Sequence, residues 1–382
     1  MEFIIDQQTL SKALSRQGFL IEKKPYTPVL AGLLVDASLE HGIRLTGTNI
    51  DATLVENLNC EVKTPGSSVI PFGILHELVK RFQGDYVAFK KDGENVVVKS
   101  GRAKFDLPCL DGKDFPQLVS EDFSDAFQFE SKQMRRIIDC AHFSMSSEES
   151  RYLLNTMYLR KKHDSDQVIA VATDACRLSL VGFAIDSHGA SKDDGSASEL
   201  QPQHCNDDFA AIISKKSVSV LHRLLDEHSG NIKLMNGKCS LQWTFPHWTL
   251  RTQMVDGTFP DYESIVASVS GSTAEIKVSS FINAVGRISM IADFKQPIVK
   301  MDISGGKMTL SSHGQGTAEE VIDIEKGDLT TVMGMNAKYL TDVLRHIHGD
   351  TCVMEVSTPE DPIIFRDVSY ENDVYLVMPA RV

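Results

Sequence analysis

No Cys-x-x-Cys pair occurs in the 382 residues, and the seven cysteines (Cys60, Cys109, Cys140, Cys176, Cys205, Cys239 and Cys352) stand far apart. An odd, scattered set argues against a disulfide framework and reads as reduced core thiols in a cytosolic protein. No stretch approaches the roughly 20 apolar residues that span a bilayer. The opening MEFIIDQQTL has neither a basic n-region nor a long apolar core, so no signal peptide is expected. Catalytic signatures are missing as well. Ser304–Thr309, SGGKMT, has a Gly-Lys but not the upstream glycine of a phosphate-cradling loop. His346 and His348 are two apart and do not share a helix face, and no zinc-type Cys/His spacing appears. There is no H-E-x-x-H and no G-x-S-x-G. In TDACR, Cys176 reads as a small buried residue, because no histidine lies nearby. Acidic residues are dispersed, whereas a nuclease clusters them around metal ions. Neither metal nor cofactor is expected. Positive charge is also short overall: the net charge is −13, which by itself disfavours a polyanionic partner.

What the sequence does contain is one unit written three times. Each copy opens on a short strand and an amphipathic helix: FIIDQQTLSKALSRQGFLI from Phe3, FQFESKQMRRIIDCAHFSM from Phe127 and IKVSSFINAVGRISMIAD from Ile276. A polar residue marks each helix start, and apolar residues follow at helical spacing, as in Leu10 and Leu14 or Met134, Ile137 and Ile138. Strand-like runs come next: LAGLLVDA, LNTMYLRK and IVKMDISG, then IRLTGTNIDATLVENL, VIAVATDACRLSLVGF and MTLSSHGQGTAEEVIDI. A second strand and helix recur in VIPFGILHELVKRF, AIISKKSVSVLHRLL and TVMGMNAKYLTDVLRHI. Paired strands close each unit, and LDGKDFP and VDGTFPDY are near-copies. The order predicts three α+β domains, 1–120, 125–265 and 272–382, each with two helices and many strands. The insert 187–208, rich in Ser, Asp, Gly and Gln, is expected to be a solvated, mobile loop.

The helices resolve the charge problem. The predicted helices 7–19, 73–83, 131–143, 215–226, 279–290 and 336–347 together carry +9, which leaves −22 for the rest of the chain. Basic helices on an acidic body point to one surface directed at a polyanion, with repulsion elsewhere. Its carriers are Lys12, Arg16, Lys80, Arg81, Arg135, Arg136, Lys215, Lys216, Arg223, Lys338 and Arg345. None belongs to a base-reading motif, so contact should fall on phosphates and be independent of sequence.

The stretches SGRAKFDLPCLDGKDFPQL, FSMSSEESRYLLN, VATDACRL, VDGTFPDY and VYLVMPARV resemble signature segments of the bacterial β sliding clamp, the processivity subunit of DNA polymerase III. The resemblance runs the full length of the chain and keeps the segment order. It implies three tandem clamp domains, a head-to-tail homodimer and a six-domain ring, with twelve helices inside and sheets outside. Such a ring encircles duplex DNA and tethers the replicative polymerase in the bacterial cytoplasm, without catalysis. The implied partners are double-stranded DNA, a second copy, the catalytic subunit of DNA polymerase III, the clamp loader and other clamp-binding replication and repair proteins. Lys24, Tyr152 and Leu153 match family positions that touch DNA. Phe105 and Leu107 of one copy would meet Met290 and Ile291 of the other at the seam.

The same resemblance implies a pocket for short partner peptides with apolar ends. The matching positions are Arg151, Leu154, Thr173, Arg177, Leu178, Pro260, Ile265, Tyr339, Pro362, Val377, Met378, Pro379 and Arg381. Ala175 and Cys176 stand where the family often has Gly-His, Ser264 where Arg is common and Ala380 where Met is common, so the pocket should be wider and less basic. The closing VYLVMPARV then belongs to a sheet and a pocket wall rather than to a frayed tail. The alternatives are a DNA-processing enzyme built on the repeats, which the dispersed carboxylates disfavour, and a repeat scaffold that does not bind DNA.

Overall fold

The computed structural model describes residues 1–22, 25–117, 121–161, 167–185, 209–293 and 297–381. Lys24 and the insert 187–208 lie outside them. The six described cysteines are free thiols. Among the described residues no helix is long and apolar enough to cross a membrane.

Helices occur where the apolar spacing predicts them: α1 (Gln7–Gln17), α2 (Phe72–Arg81), α3 (Ser131–His142), α4 (Lys215–Asp226), α6 (Val278–Ser289) and α7 (Ala337–His346). Local chemistry fixes several starts. The Asp6 carboxylate accepts from the Thr9 amide at 2.7 Å before α1, and Asn336 caps α7 through the amides of Lys338 and Tyr339. On α3, Met134, Ile137 and Ile138 are fully buried, as their spacing requires. A seventh helix, α5 (Tyr262–Ser268), follows VDGTFP and adds to the two helices expected in each domain. Asp261 accepts from the Ser264 amide at 3.1 Å, and this cap turns the segment helical.

By contacts the chain divides into two compact units. The first contains Met1–Arg135 and Lys216–Met254. The second contains Val255–Val382 and the central strands Thr156–Lys161, Gln167–Thr173, Arg177–Ala184 and Phe209–Ser214. In the first unit a five-stranded antiparallel sheet ends at the edge strand Ala103–Pro108. A nine-stranded sheet lies beside it, in which Ala52–Leu58 pairs with Trp248–Gln253 in the register Ala52 to Thr252. In the second unit Arg177–Ala184 pairs with Tyr370–Val377, Arg177 opposite Val377, inside another nine-stranded sheet. A four-stranded sheet in that unit ends at the edge strand Thr317–Asp323.

The repeat extends to single hydrogen bonds. In the turn after Thr48 the hydroxyl donates to the Ala52 carbonyl at 2.9 Å, the Ile50 amide donates to that hydroxyl and the Ala52 amide donates to Asn49. The turn after Thr173 repeats all three, with Arg177, Ala175 and Asp174 in the corresponding roles. Ile50 (φ 78°) and Ala175 (φ 75°) are the two non-glycine residues with positive φ among those described.

Candidate nucleic-acid interface and peptide-binding site

The eleven helix cations fall into two groups. Lys12, Lys80, Lys338 and Arg345 are exposed, and no ion pair holds them among the described residues. Arg81 is exposed and pairs with Glu77 one turn away at 3.0 Å. Arg135 pairs with Asp226 at 2.8 Å, Lys216 lies 3.7 Å from Glu22, and the Arg223 guanidinium sits 5.5 Å over the Phe19 ring.

The remaining three are drawn into the fold. Arg16 forks onto Glu56, donates to Glu227 at 3.1 Å and lies 4.6 Å over the Trp248 ring. The Glu56 side chain is 1% exposed, and burial pushes its carboxyl above the ordinary value despite the arginine. Arg136 donates to Asp373 at 2.5 Å and to the Gly182 carbonyl, and its guanidinium is 3.9 Å over Tyr370. The Lys215 ammonium donates to the carbonyls of Met145 and Ser146 at 3.0 and 3.2 Å. Burial, and then the nearby Arg177 charge, lower its pKa. These three differ from the sequence expectation because a buried carboxylate or carbonyl must be satisfied before a cation can serve a ligand. Tyr152 is 59% exposed, whereas Leu153 packs against a buried apolar cluster and the backbone of Gly257. At the expected seam Phe105 and Met290 are exposed, Ile291 is half-buried, and Leu107 is 6% exposed within the N-terminal core.

The expected pocket residues lie in the second unit, and most are tied together. Strand pairing sets Arg177 and Leu178 beside Val377 and Leu376, and the Met378 amide donates to the Cys176 carbonyl at 2.8 Å. Ile363 opposes Val377, which brings Pro362 to the same end of the sheet. Leu178 shares an apolar cluster with Phe259, Tyr262 and Val269, so Pro260 and α5 border it, with Ile265 41% exposed. Leu154 and Pro379 are half-buried, and the Ala380 amide donates to the Gly334 carbonyl at 2.8 Å. Thr173 is buried within its turn, while Ala175 and Cys176 are exposed at the tip, so Cys176 is not the buried residue expected from the sequence. Arg151 is exposed and paired with Glu148 at 2.9 Å; Arg381 is exposed, with no hydrogen bond or ion pair among the described residues.

Arg177 is the centre of this arrangement. Nε donates to Asp174 at 3.0 Å and Nη1 to Asp342 at 2.6 Å. The guanidinium lies 4.7 Å from the Tyr339 ring and 5.3 Å from the Phe143 ring, with cation–π attraction available to both. Burial, together with the neighbouring Cys176 and Asp174, raises the pKa of Tyr339. Phe143 and Asp342 were absent from the sequence reading. Asp342 follows Tyr339 by three residues, a helical neighbour that spacing alone could have flagged.

Models of the DNA polymerase III beta subunit match the chain in three consecutive pieces: the N-terminal domain at 1–119, the central domain at 128–261 and the C-terminal domain at 267–381. The chain belongs to the DNA polymerase III beta subunit family. Among its relatives, the beta sliding clamp of Caulobacter vibrioides is 25% identical over 389 residues, and that of Escherichia coli K12 is 25% identical over 386, each match covering all of both chains. The crystal structure of the DNA polymerase III subunit beta from Pseudomonas aeruginosa superposes with a TM-score of 0.90 at 26% identity, again over the whole of both chains. Three tandem clamp domains of mixed α/β structure are therefore the architecture of this family and of this chain.

Proposed function

We propose that two copies of the chain close head to tail into a ring around duplex DNA, with the basic helices facing the phosphates. As a member of its family, the chain is a sliding clamp for processive replication, the non-catalytic processivity subunit of DNA polymerase III. The mechanism is topological. A closed ring cannot fall off the duplex, and weak, sequence-independent phosphate contacts keep the barrier to sliding low. The exposed cations Lys12, Lys80, Arg81, Lys216, Arg223, Lys338 and Arg345 supply those contacts, with Arg135 and Tyr152 beside them. Arg16, Arg136 and Lys215 hold the fold.

One observation carries the ring. The first repeat's strand Ala52–Leu58 pairs with the second repeat's closing strand, Trp248–Gln253. The second repeat's strand Arg177–Ala184 likewise pairs with the third's, Tyr370–Val377. Two edges of the same kind are left over: the third repeat's Thr317–Asp323 and the first repeat's closing strand, Ala103–Pro108. Joining them between two copies completes the pattern, and a head-to-tail contact that closes gives a ring. Phe105, Met290 and Ile291 then become buried at the seam.

The domains are taken as 1–120, 125–265 and 272–382. The surface around Arg177, Leu178, Tyr339, Pro362, Val377 and Met378 takes the apolar end of a peptide from the polymerase catalytic subunit, the clamp loader or another clamp-binding protein. The working place is the bacterial cytoplasm. The test is retention on DNA: the loaded protein should stay on a nicked circle and be lost once the circle is cut. Equal retention on circular and linear DNA would refute encirclement.

A further inference from the structure

Arg177 is a buried cation with donors left over. Its side chain is 9% exposed, Nε is held by Asp174 and Nη1 by Asp342. Among the described residues Nη2 has no hydrogen-bond partner, and it is not sealed from solvent. The ring faces of Tyr339 and Phe143 fix the plane of the guanidinium. The two carboxylates hold it differently. Asp174 belongs to the turn itself and also accepts from the Cys176 and Arg177 amides at 2.9 and 3.0 Å. Asp342 arrives on α7, 165 residues away, and its one hydrogen bond to Arg177 leaves the other carboxylate oxygen without a partner among the described residues.

We propose that Asp342 is a positioning residue for partner peptides: with Asp174 it fixes Arg177 so that Nη2 is offered, and it makes that group choose a neutral carbonyl over a carboxylate. This rests on the reading of the surface as a peptide pocket. The fork geometry of arginine allows Nη2 to donate while the other two positions stay occupied. Two carboxylates already contact one guanidinium, while the nearby Lys215 ammonium is turned to the carbonyls of Met145 and Ser146. A carboxylate arriving at Nη2 would be a third one on the same guanidinium, in a place with little water to screen it. A backbone or amide carbonyl accepts the same hydrogen bond without that repulsion. Specificity then comes from what the site rejects as much as from what it holds. The ligand class is an apolar-ended peptide with a neutral acceptor before its apolar anchor.

The test uses dye-labelled ten-residue peptides ending in Leu-Phe, made in pairs with Asn or Asp at each of the three preceding positions. Their dissociation constants are measured by fluorescence polarisation on the full-length chain. At one position the wild type should bind the Asn form about tenfold tighter than the Asp form. Asp342→Asn keeps an acceptor for Nη1 but removes the charge, and should bring that ratio within about threefold. Asp342→Ser, checked for folding by its thermal midpoint, should do the same. A residue that only supported the fold would weaken both peptides together and leave the ratio unmoved. An unmoved ratio in both variants, or a wild type that prefers Asp, overturns the proposal and leaves the pocket standing. If no peptide binds the wild type, the pocket reading itself is overturned, and this proposal with it.

Discussion

Replacing Arg136 by methionine separates a fold residue from a DNA contact. The aliphatic stem is largely kept, but the charge that faces Asp373 and lies over Tyr370 is lost. Asp373 sits on the strand Tyr370–Val377 with a side chain 0% exposed, and among the described residues its other oxygen accepts only from the Gly182 amide, at 3.2 Å. Stranding a buried carboxylate in this way costs about 3–5 kcal/mol, and losing the cation over a ring adds about 1 kcal/mol. Denaturant unfolding at pH 7.5 should therefore show a loss of about 3 kcal/mol or more in the transition of the second unit. Retention on circular DNA, measured per folded ring, should be unchanged. The pH dependence gives a second check. Burial already pushes the Asp373 carboxyl above its ordinary value of 3.8, and Arg136 is the main influence opposing that shift. Without the arginine the folded state holds the proton more tightly still. A raised folded pKa contributes stability that is present below the unfolded value and lost as pH rises through the folded one. The deficit of the variant should accordingly be greatest at pH 7.5 and shrink toward pH 4. Adding Asp373→Asn should recover part of the loss. If Arg136→Met leaves stability untouched and instead loosens the ring on DNA, Arg136 faces the duplex and the assignment is wrong.

Ile50 is β-branched, 68% exposed and held at φ 78°, a conformation that costs an L-residue about 1–2 kcal/mol, so Ile50→Gly should raise the unfolding midpoint by about 1 kcal/mol equivalent. A loss of stability would mean that contacts of the side chain outweigh the strain. Met290 is 75% exposed, so Met290→Glu should leave unfolding within about 0.5 kcal/mol while shifting sedimentation from dimer toward monomer; an unchanged dimer removes Met290 from the seam. Leu107 is the contrast: at 6% exposure, Leu107→Ala should cost about 2–5 kcal/mol of fold stability whether or not the dimer forms. Deleting Met378–Val382 removes the amide bonds to Cys176 and Gly334, and should weaken partner-peptide binding at least about tenfold with the dimer intact. Normal peptide binding by the truncated chain would clear that segment of any role.

What could be read from the sequence was local. The burial of Met134, Ile137 and Ile138 follows from spacing within one helix, and six helix positions followed in the same way. Helix α5 was missed although its signal was also local: Asp261 before Ser264 is a capping pattern. The fates of Arg16 and Arg136 lay beyond any local reading. Their partners, Glu56 and Asp373, lie 40 and 237 residues away, and whether a helical arginine meets solvent or a buried carboxylate depends on strand pairings made at that range. The charge count was correct as arithmetic, but it treated as free three cations that the fold already uses.

The spare edges also bear on why two copies should join head to tail rather than edge to like edge. The strand Thr317–Asp323 carries Glu319, Glu320 and Asp323 with no lysine or arginine, and Val321 is 51% exposed along it. Two such edges brought together would set carboxylate against carboxylate, a repulsion that edge charges commonly serve to create. The strand Ala103–Pro108 carries Lys104 and Asp106, follows Arg102, and shows Phe105 at its surface. An acidic edge with an exposed valine fits this basic-flanked edge with its exposed phenylalanine better than it fits itself. Arg287 adds a constraint. It grips Glu320 through both ends of its guanidinium and is 59% exposed. It thus resembles the Arg16–Glu56 grip, which the strand Trp248–Gln253 covers by bringing Trp248 over the arginine. The third repeat holds the same kind of grip, and among the described residues no further strand pairs with its edge. In the proposed ring a second copy would supply that strand, and the repetition that builds the chain would then also specify how it closes.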